Sequence, residues 1–420
     1  MAKTFKFGEN GKWATKTGSS MAYNDQNGNF KPIPFEVTRD SIATRVNKQG
    51  LIEVVGNDKL RIDYTDSSNG VALLEPARTN LVTYSEDATQ WLLINSTITS
   101  NNIISPDGSQ NADKFEFTGD GSIRPNVSQL AFTNNYNYSV FIKKGNSSYV
   151  TLAASFFTTS TTVGFDLDNE ISETGGIIEK YPNEWYRLSL TNNVTGDADR
   201  QGAFYIYLPN ALGELSSVAG NYAYVWGADI QEASYNTSYI KTSGSTVTRA
   251  ADVANGAGNA QVFNDSEGVL FANMFIEDNI EDNVNISVSG GVHENDTFKF
   301  IYLPSTNELR AELNISPTVN TRITYDNLSL GQYNKIAASF NTSTLKLYVN
   351  GFEINSASTN ALPSGLNQMN FDRADGVAPF YGKTKEIGVY DAVLTDAELE
   401  ALTSYTSFTN MANELNLTIK

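Results

Sequence analysis

Apolar residues along this chain alternate with polar ones at a period of two, interrupted every few residues by glycine, asparagine and serine. The run Leu60-Arg61-Ile62-Asp63-Tyr64 shows the pattern plainly. Leu60, Ile62 and Tyr64 fall on one side and Arg61 and Asp63 on the other, as in a half-buried strand. From about Val82 to Val247 such runs recur at sandwich-like intervals, among them segments opening at Tyr138, Tyr149, Val163, Trp185, Ala203 and Tyr222. Asn- and Gly-rich turns separate them and no long helical period intervenes, so the spacing predicts an antiparallel β-sandwich.

A second strand-rich stretch follows, with runs opening at Gly268, Phe298, Leu309, Tyr333 and Thr344. Asn350-Gly351 then separates two such runs, the pair of residues that best suits a two-residue hairpin turn. One helix is predicted near the C-terminus. Thr395 and Glu398 have the spacing of a capping box, and Leu394 and Leu399 that of a hydrophobic staple.

The expected fold class is therefore all-β: two jelly-roll sandwiches, a short β-rich N-terminal region and a small C-terminal helix. The divisions read from the sequence are residues 1–30 as an N-terminal docking arm and 31–81 as a β-rich attachment region. Residues 82–249 form the first jelly roll, 250–262 a linker, 263–405 the second jelly roll, and 406–420 a helical tail. The linker reading rests on the small residues of Ala250-Ala-Asp-Val-Ala-Asn-Gly-Ala-Gly-Asn-Ala260.

Composition narrows the classes of function. Aromatics make up 11% of the 420 residues and charged residues 18%, too aromatic and too weakly charged for a disordered chain. Lys+Arg total 29 against 47 Asp+Glu, a formal net charge of −18. That balance repels nucleic acid and anionic membranes, so neither is an expected partner. The chain has no cysteine, which removes disulfides and thiolate metal sites. The start, Met-Ala-Lys-Thr-Phe-Lys-Phe-Gly, lacks an apolar signal core, and the expectation is assembly in a cytoplasm with no membrane insertion.

Four segments, in order, carry a resemblance. They are Val37-Thr-Arg-Asp-Ser-Ile-Ala-Thr-Arg-Val, Gly50-Leu-Ile-Glu, Arg61-Ile-Asp-Tyr64 and Leu73-Leu-Glu-Pro-Ala-Arg-Thr-Asn80. Together they resemble the attachment region of bacteriophage tail and virion-surface proteins. The stretch from Asn80-Leu-Val-Thr-Tyr-Ser-Glu and Trp91 to Tyr224-Val-Trp-Gly-Ala-Asp and Val247-Thr-Arg-Ala-Ala-Asp252 resembles carbohydrate-binding jelly rolls. Gly331–Phe340, Leu345-Lys-Leu-Tyr-Val-Asn-Gly351 and Lys385–Leu399 are similar to the laminin-G/concanavalin-like family. The resemblances imply a virion-surface setting, partner virion proteins held through the N-terminal region, host or environmental polysaccharide as ligand, and a homo-oligomer, by analogy a trimer.

The inventory for catalysis is thin. His293 is the only histidine, and its Gly290-Gly-Val-His-Glu-Asn-Asp context is that of a solvated loop; a His-centred triad or a two-His metal site is out of reach. Glycoside hydrolysis needs only two carboxylates. The nearest acidic runs are Glu277–Asp282, which has loop composition, and Asp166-Leu-Asp168, at a strand end. The reading is that the chain is not an enzyme and requires no cofactor. Calcium is the cation its loops would take, with Asp372, Asp375, Asn279 and Asp282 as candidate ligands.

Sugar binding uses exposed aromatic faces, with Asn, Asp or Arg fixing the hydroxyls. Trp91, Tyr136, Tyr235 and Tyr381 are the candidates, whereas Trp185 and Trp226 sit in strand patterns that place them in a core. The function read from the sequence is a structural head or tail appendage that adheres to glycans, with a purely architectural virion subunit as the alternative and a glycan depolymerase as the second alternative.

Overall fold

The computed structural model describes residues 4–7, 13–16, 19–24, 30–31, 35–127, 135–155, 160–193, 203–291, 295–315 and 318–414. Among them the chain is almost entirely β, with two short α-helices near the C-terminus. It divides into two compact units that are interleaved in sequence. Unit 1 takes Met1–Asp40, Val55–Pro76 and Ala251–Lys420, and unit 2 takes Ser41–Val54 and Ala77–Ala250.

Unit 1 holds two antiparallel sheets. The larger runs in the order Phe352–Ser358, Thr344–Val349, Tyr333–Phe340, Gly268–Phe275, Gly382–Tyr390, Val71–Leu74 and Arg61–Asp63, and Thr4–Phe7 also pairs with Gly382–Tyr390. The smaller runs Thr318–Tyr325, Glu308–Ile315, Thr297–Leu303, Val284–Ser289, Gln368–Asn370. Alternate residues of both sheets share one apolar core: Leu270, Ala272 and Met274 from the first, Ile286, Phe300 and Leu313 from the second. Opposite neighbours on each strand point away from that core. Helix Asp396–Thr403 sets Leu399 on Val269, Phe271, Ala337 and Tyr348 of the larger sheet. Its Thr395 cap and reciprocal Glu398 contact form the predicted capping box, and Leu394 packs against the apolar cluster that holds Leu399.

The Asn350-Gly351 turn joins its two strands in register, Val349 opposite Phe352. Both turn residues have positive φ, 50° and 89°, which is what the right-handed twist of the flanking strands requires.

Unit 2 is a ten-stranded antiparallel arrangement around a second core. Strand Ala112–Arg124 is long enough to serve both of its halves: Asp113–Glu116 pair with Tyr222–Val225, while Ile123 meets Ile206. Asn80 is wholly buried and pins the entry to this unit. Its amide nitrogen donates to the carbonyls of Ala228 and Ile240, and its oxygen accepts from the N–H groups of Val82 and Ile230.

Two divisions drawn from the sequence differ from this architecture. Residues 250–262 are not a free linker. Val253–Asn255 pairs with Glu36–Thr38, and the small Ala254 and Ala257 are buried in the core of unit 1. The region 31–81 is likewise no separate module, because Val55–Pro76 extends unit 1 while Ser41–Val54 and the chain from Ala77 belong to unit 2. The arm, residues 1–30, is described only in its strands; Thr4–Phe7 lies in the large sheet of unit 1, and Trp13–Lys16, Ser19–Asn24 and Phe30–Lys31 form a small sheet. In the tail, Phe408–Glu414 is helical.

Three of the residues that carried the phage resemblance, Arg39, Arg61 and Glu75, have a structural role within unit 1. The Arg39 guanidinium donates to Asp252 Oδ1 at 2.7 Å and Arg61 to Glu75 Oε2 at 2.6 Å. Arg61 also donates to the second oxygen of Asp252, and the Glu75 N–H reaches the same oxygen at 2.9 Å. Both guanidinium side chains are fully buried. Four segments distant in sequence thus meet in one charge network with each cation answered by a carboxylate, the condition under which buried charge is tolerated.

Candidate functional site

The outward face of the smaller sheet of unit 1 is polar. Val284, Ile286 and Val288 enter the core, so Asn285, Ser287 and Ser289 face the other way. Register then sets five polar residues in one row across five strands: Asn370, Ser287, Lys299, Glu312 and Arg322. Loops close on the two ends of this face: Asn285 donates to the Ala378 carbonyl at 3.0 Å and Gln368 to that of Gly291 at 2.9 Å. On this face Ser287 Oγ, Asn285 Oδ1 and Asn314 Oδ1 are buried without a hydrogen-bond partner.

At the Gln368–Asn370 edge this face opens into a cleft of about 280 Å³ lined by Glu36, Asn255, Gly256, Gln368, Asn370, Asp372, Ala374, Asp375 and Gly376. The turn that follows the edge strand shapes its floor. Asp372 is buried; one oxygen accepts from the Ala374 N–H at 2.6 Å and the other from the Asn255 amide at 2.5 Å. Burial raises its pKa, and those two donors hold the rise in check. Asp375 is lowered instead, chiefly by hydrogen bonding from Arg373, whose guanidinium approaches to 2.6 Å. Asn370 accepts from the Gly256 N–H at 2.9 Å. Amide side chains and the carboxylates of Glu36, Asp372 and Asp375 thus line one small cleft.

The calcium candidates divide. Asp372 and Asp375 share the cleft, while Asn279 and Asp282 stand exposed on the loop after Gly268–Phe275. A calcium ion wants six to eight oxygen ligands. Here N–H donors and an arginine already point at the Asp372 and Asp375 oxygens, and among the described residues no three acidic, His or Cys side chains gather as a metal site would need. The residues present do not fit a calcium cage.

The aromatic candidates divide as well. Trp91 is 5% exposed and its indole N–H donates to the Tyr84 carbonyl at 2.8 Å; Tyr136 is 1% exposed. Both lie in the core of unit 2, so neither offers a ring face to a sugar, which corrects the expectation for these two. Tyr235 is half-buried with the Arg78 guanidinium 5.7 Å above its ring. Tyr381 is half-buried against the core of unit 1. Trp185 and Trp226 are core residues, as their strand patterns predicted. His293 lies outside the described residues.

The acidic runs are structural. Asp166 accepts from the N–H groups of Asp168 and Asn169 and so shapes the turn after its strand, while Asp168 pairs with Lys144 at 2.5 Å. In the loop Glu277–Asp282, residues 278, 279, 281 and 282 are exposed. Sequence reading missed a closer approach to a glycanase pattern. Glu308 and Glu312 lie on the same outward face of strand Glu308–Ile315, since Leu309, Ala311 and Leu313 are in the core. The residue between them on that face is Arg310, which grips Glu308 with bonds of 2.9 and 2.8 Å. That grip pulls the Glu308 pKa down to about 2. Glu312 accepts from Arg322 Nε at 2.5 Å and has Lys299 at 3.8 Å. A general acid for glycoside cleavage must hold its proton near neutrality, and Glu308 is tuned the opposite way. The alternation Glu308-x-Arg310-x-Glu312 was available in the sequence; that the arginine neutralises the pair was not.

Residues 277–400 match the model of the laminin-G type of the concanavalin A-like lectin/glucanases superfamily. The match includes the polar row and most of the cleft; Glu36, Asn255 and Gly256 reach the cleft from outside it. No curated protein matches the chain. Among solved structures, the chain is similar to the carbohydrate-binding module CBM40 of the Ruminococcus gnavus IT-sialidase bound to α2,3-sialyllactose, at 20% identity over 36% of this chain and 93% of that one, TM-score 0.28. It is also similar to domain 4 of the extracellular arabinanase AbnA of Geobacillus stearothermophilus with arabinotriose, at 16% identity over 40% and 82%, TM-score 0.30. Mouse laminin α1 domains LG4-5 align at 11% identity over 73% and 91%, TM-score 0.25.

Proposed function

We propose that this protein is a non-catalytic glycan-binding subunit, which holds saccharide hydroxyls in the cleft of unit 1. The observation that carries the reading is the cleft itself, with Asn255, Gln368, Asn370, Asp372 and Asp375 converging on one small space, all but Asn255 from a stretch that matches a lectin and glucanase family. Bidentate or paired polar side chains are what fix the orientation of a sugar ring. The non-catalytic part is supported by Glu308, whose pKa the Arg310 grip draws down to about 2, and by the ion pair of Glu312 with Arg322.

The setting we propose is the surface of a bacteriophage head or tail, with the N-terminal region held by other virion proteins and copies of the chain assembled as an oligomer. What supports it is the ordered set of segments between Val37 and Asn80, whose Arg39, Arg61 and Glu75 build the buried network of unit 1. A glycan array on the purified chain, run with a reducing-sugar assay on every glycan bound, tests the function. Binding without product supports it; release of reducing ends would overturn the non-catalytic part, and silence in both assays would overturn the glycan part. Labelling of purified particles with an antibody to the chain tests the setting.

A further inference from the structure

The cleft also carries information about the charge of its ligand. Resting on the glycan-binding reading above, we infer that this site takes an uncharged, hydroxyl-rich saccharide and rejects glycans bearing uronate, sialate or sulfate groups. Three carboxylates, Glu36, Asp372 and Asp375, stand at its walls, and the chain as a whole carries a net charge of −18. The nearest guanidinium, that of Arg373, is committed to Asp375. Along the adjoining row the cations are committed too, Arg322 and Lys299 to Glu312 and Arg310 to Glu308. An incoming anion therefore meets like charge at the entrance and no uncommitted guanidinium behind it.

What the site does leave unsatisfied is of the other kind. Ser287 lies directly across the ladder from Asn370, which lines the cleft; Ser287 itself is fully buried behind it and its hydroxyl has no partner. Asn285, two residues back on the same face, keeps its carbonyl oxygen unpaired while its amide nitrogen is held by Ala378. A buried polar atom without a partner is costly; the Ser287 hydroxyl can donate or accept, but the Asn285 oxygen can only accept, and so calls for a donor. Saccharide hydroxyls donate; carboxylates and sulfates accept.

The test pairs each neutral glycan on an array with its acidic counterpart and repeats the strongest binders by calorimetry at low and high salt. The expected result is a preference of about tenfold or more for the neutral member, equivalent to about 1.4 kcal/mol, with affinity for the neutral glycan insensitive to salt. Glu36→Gln, at an exposed position, and Asp375→Asn, at a half-buried one, are expected to narrow that preference by admitting the acidic member. Equal or tighter binding of the acidic member, or affinity that falls with salt, would overturn this inference and leave glycan binding standing. No binding to either member would overturn both.

Discussion

Replacing Asp252 by alanine should destabilise unit 1 far more than any surface change, and the network explains by how much. Asp252 accepts from Arg39 at 2.7 Å, from Arg61, and from the Glu75 N–H at 2.9 Å. Its removal leaves two fully buried guanidinium side chains with Glu75 as their one remaining carboxylate in the network. Breaking a buried pair by deleting one partner costs about 3–5 kcal/mol, because the other charge stays buried and uncompensated. For a unit of this size, roughly 2–4 °C is lost per kcal/mol, so the melting transition of unit 1 should fall by roughly 10 °C. Urea and thermal unfolding followed by tryptophan fluorescence and calorimetry would measure it, with Asp282→Ala, an exposed loop change, as a control expected within about 0.5 kcal/mol of the parent. A loss under about 1 kcal/mol for Asp252→Ala would refute the reasoning, since it would mean that the two guanidiniums find water or other partners at little cost.

Other predictions follow from single sites. Asp229 in unit 2 is fully buried and burial lifts its pKa to about 6, against 3.8 for an ordinary aspartate, although Arg187 opposes the rise. A folded-state pKa raised in this way favours the native state below about pH 4 and withdraws that support as pH climbs through about 6. The stability of Asp229→Asn relative to the parent should therefore grow by up to about 3 kcal/mol between about pH 4 and pH 7, and urea titrations showing a pH-independent difference would count against it. Thr395→Ala removes the cap of helix Asp396–Thr403 and should cost about 1 kcal/mol in thermal denaturation. Glycan binding should survive EDTA, because the Asp372 and Asp375 oxygens are already occupied by N–H donors; loss of binding on chelation would show that a cation holds the cleft.

Much of the fold was legible in the sequence because its code is local. Period-two alternation such as Leu60/Ile62 assigns faces to a strand wherever one side is buried, the Asn350-Gly351 pair suits positive φ, and the Thr395–Glu398 spacing closes a cap within a single turn. Each of these depends on residues no more than a few positions apart. The candidate site was legible only in part: Asp372 and Asp375 were marked by their acidic loop, but as cation ligands, and the amide and arginine donors that occupy them were visible only in space.

Tertiary structure alone decided which residues are inside and which meet. Trp91 and Tyr136 were both candidates for a sugar platform, and their burial in the second core settled it. Ala250–Ala260 reads as a flexible tract, yet Asp252 within it answers Arg39 and Arg61 from more than 190 positions away in sequence. The cleft draws Glu36 and Asn255 to Asn370 by strand pairing across distant segments. The sequence by itself determined the strands, their turns, the capped helix and the poverty of catalytic groups. The two interleaved units, the buried charge network and the charge of the ligand cleft came from long-range pairing, whose energy depends on partners that no local pattern names.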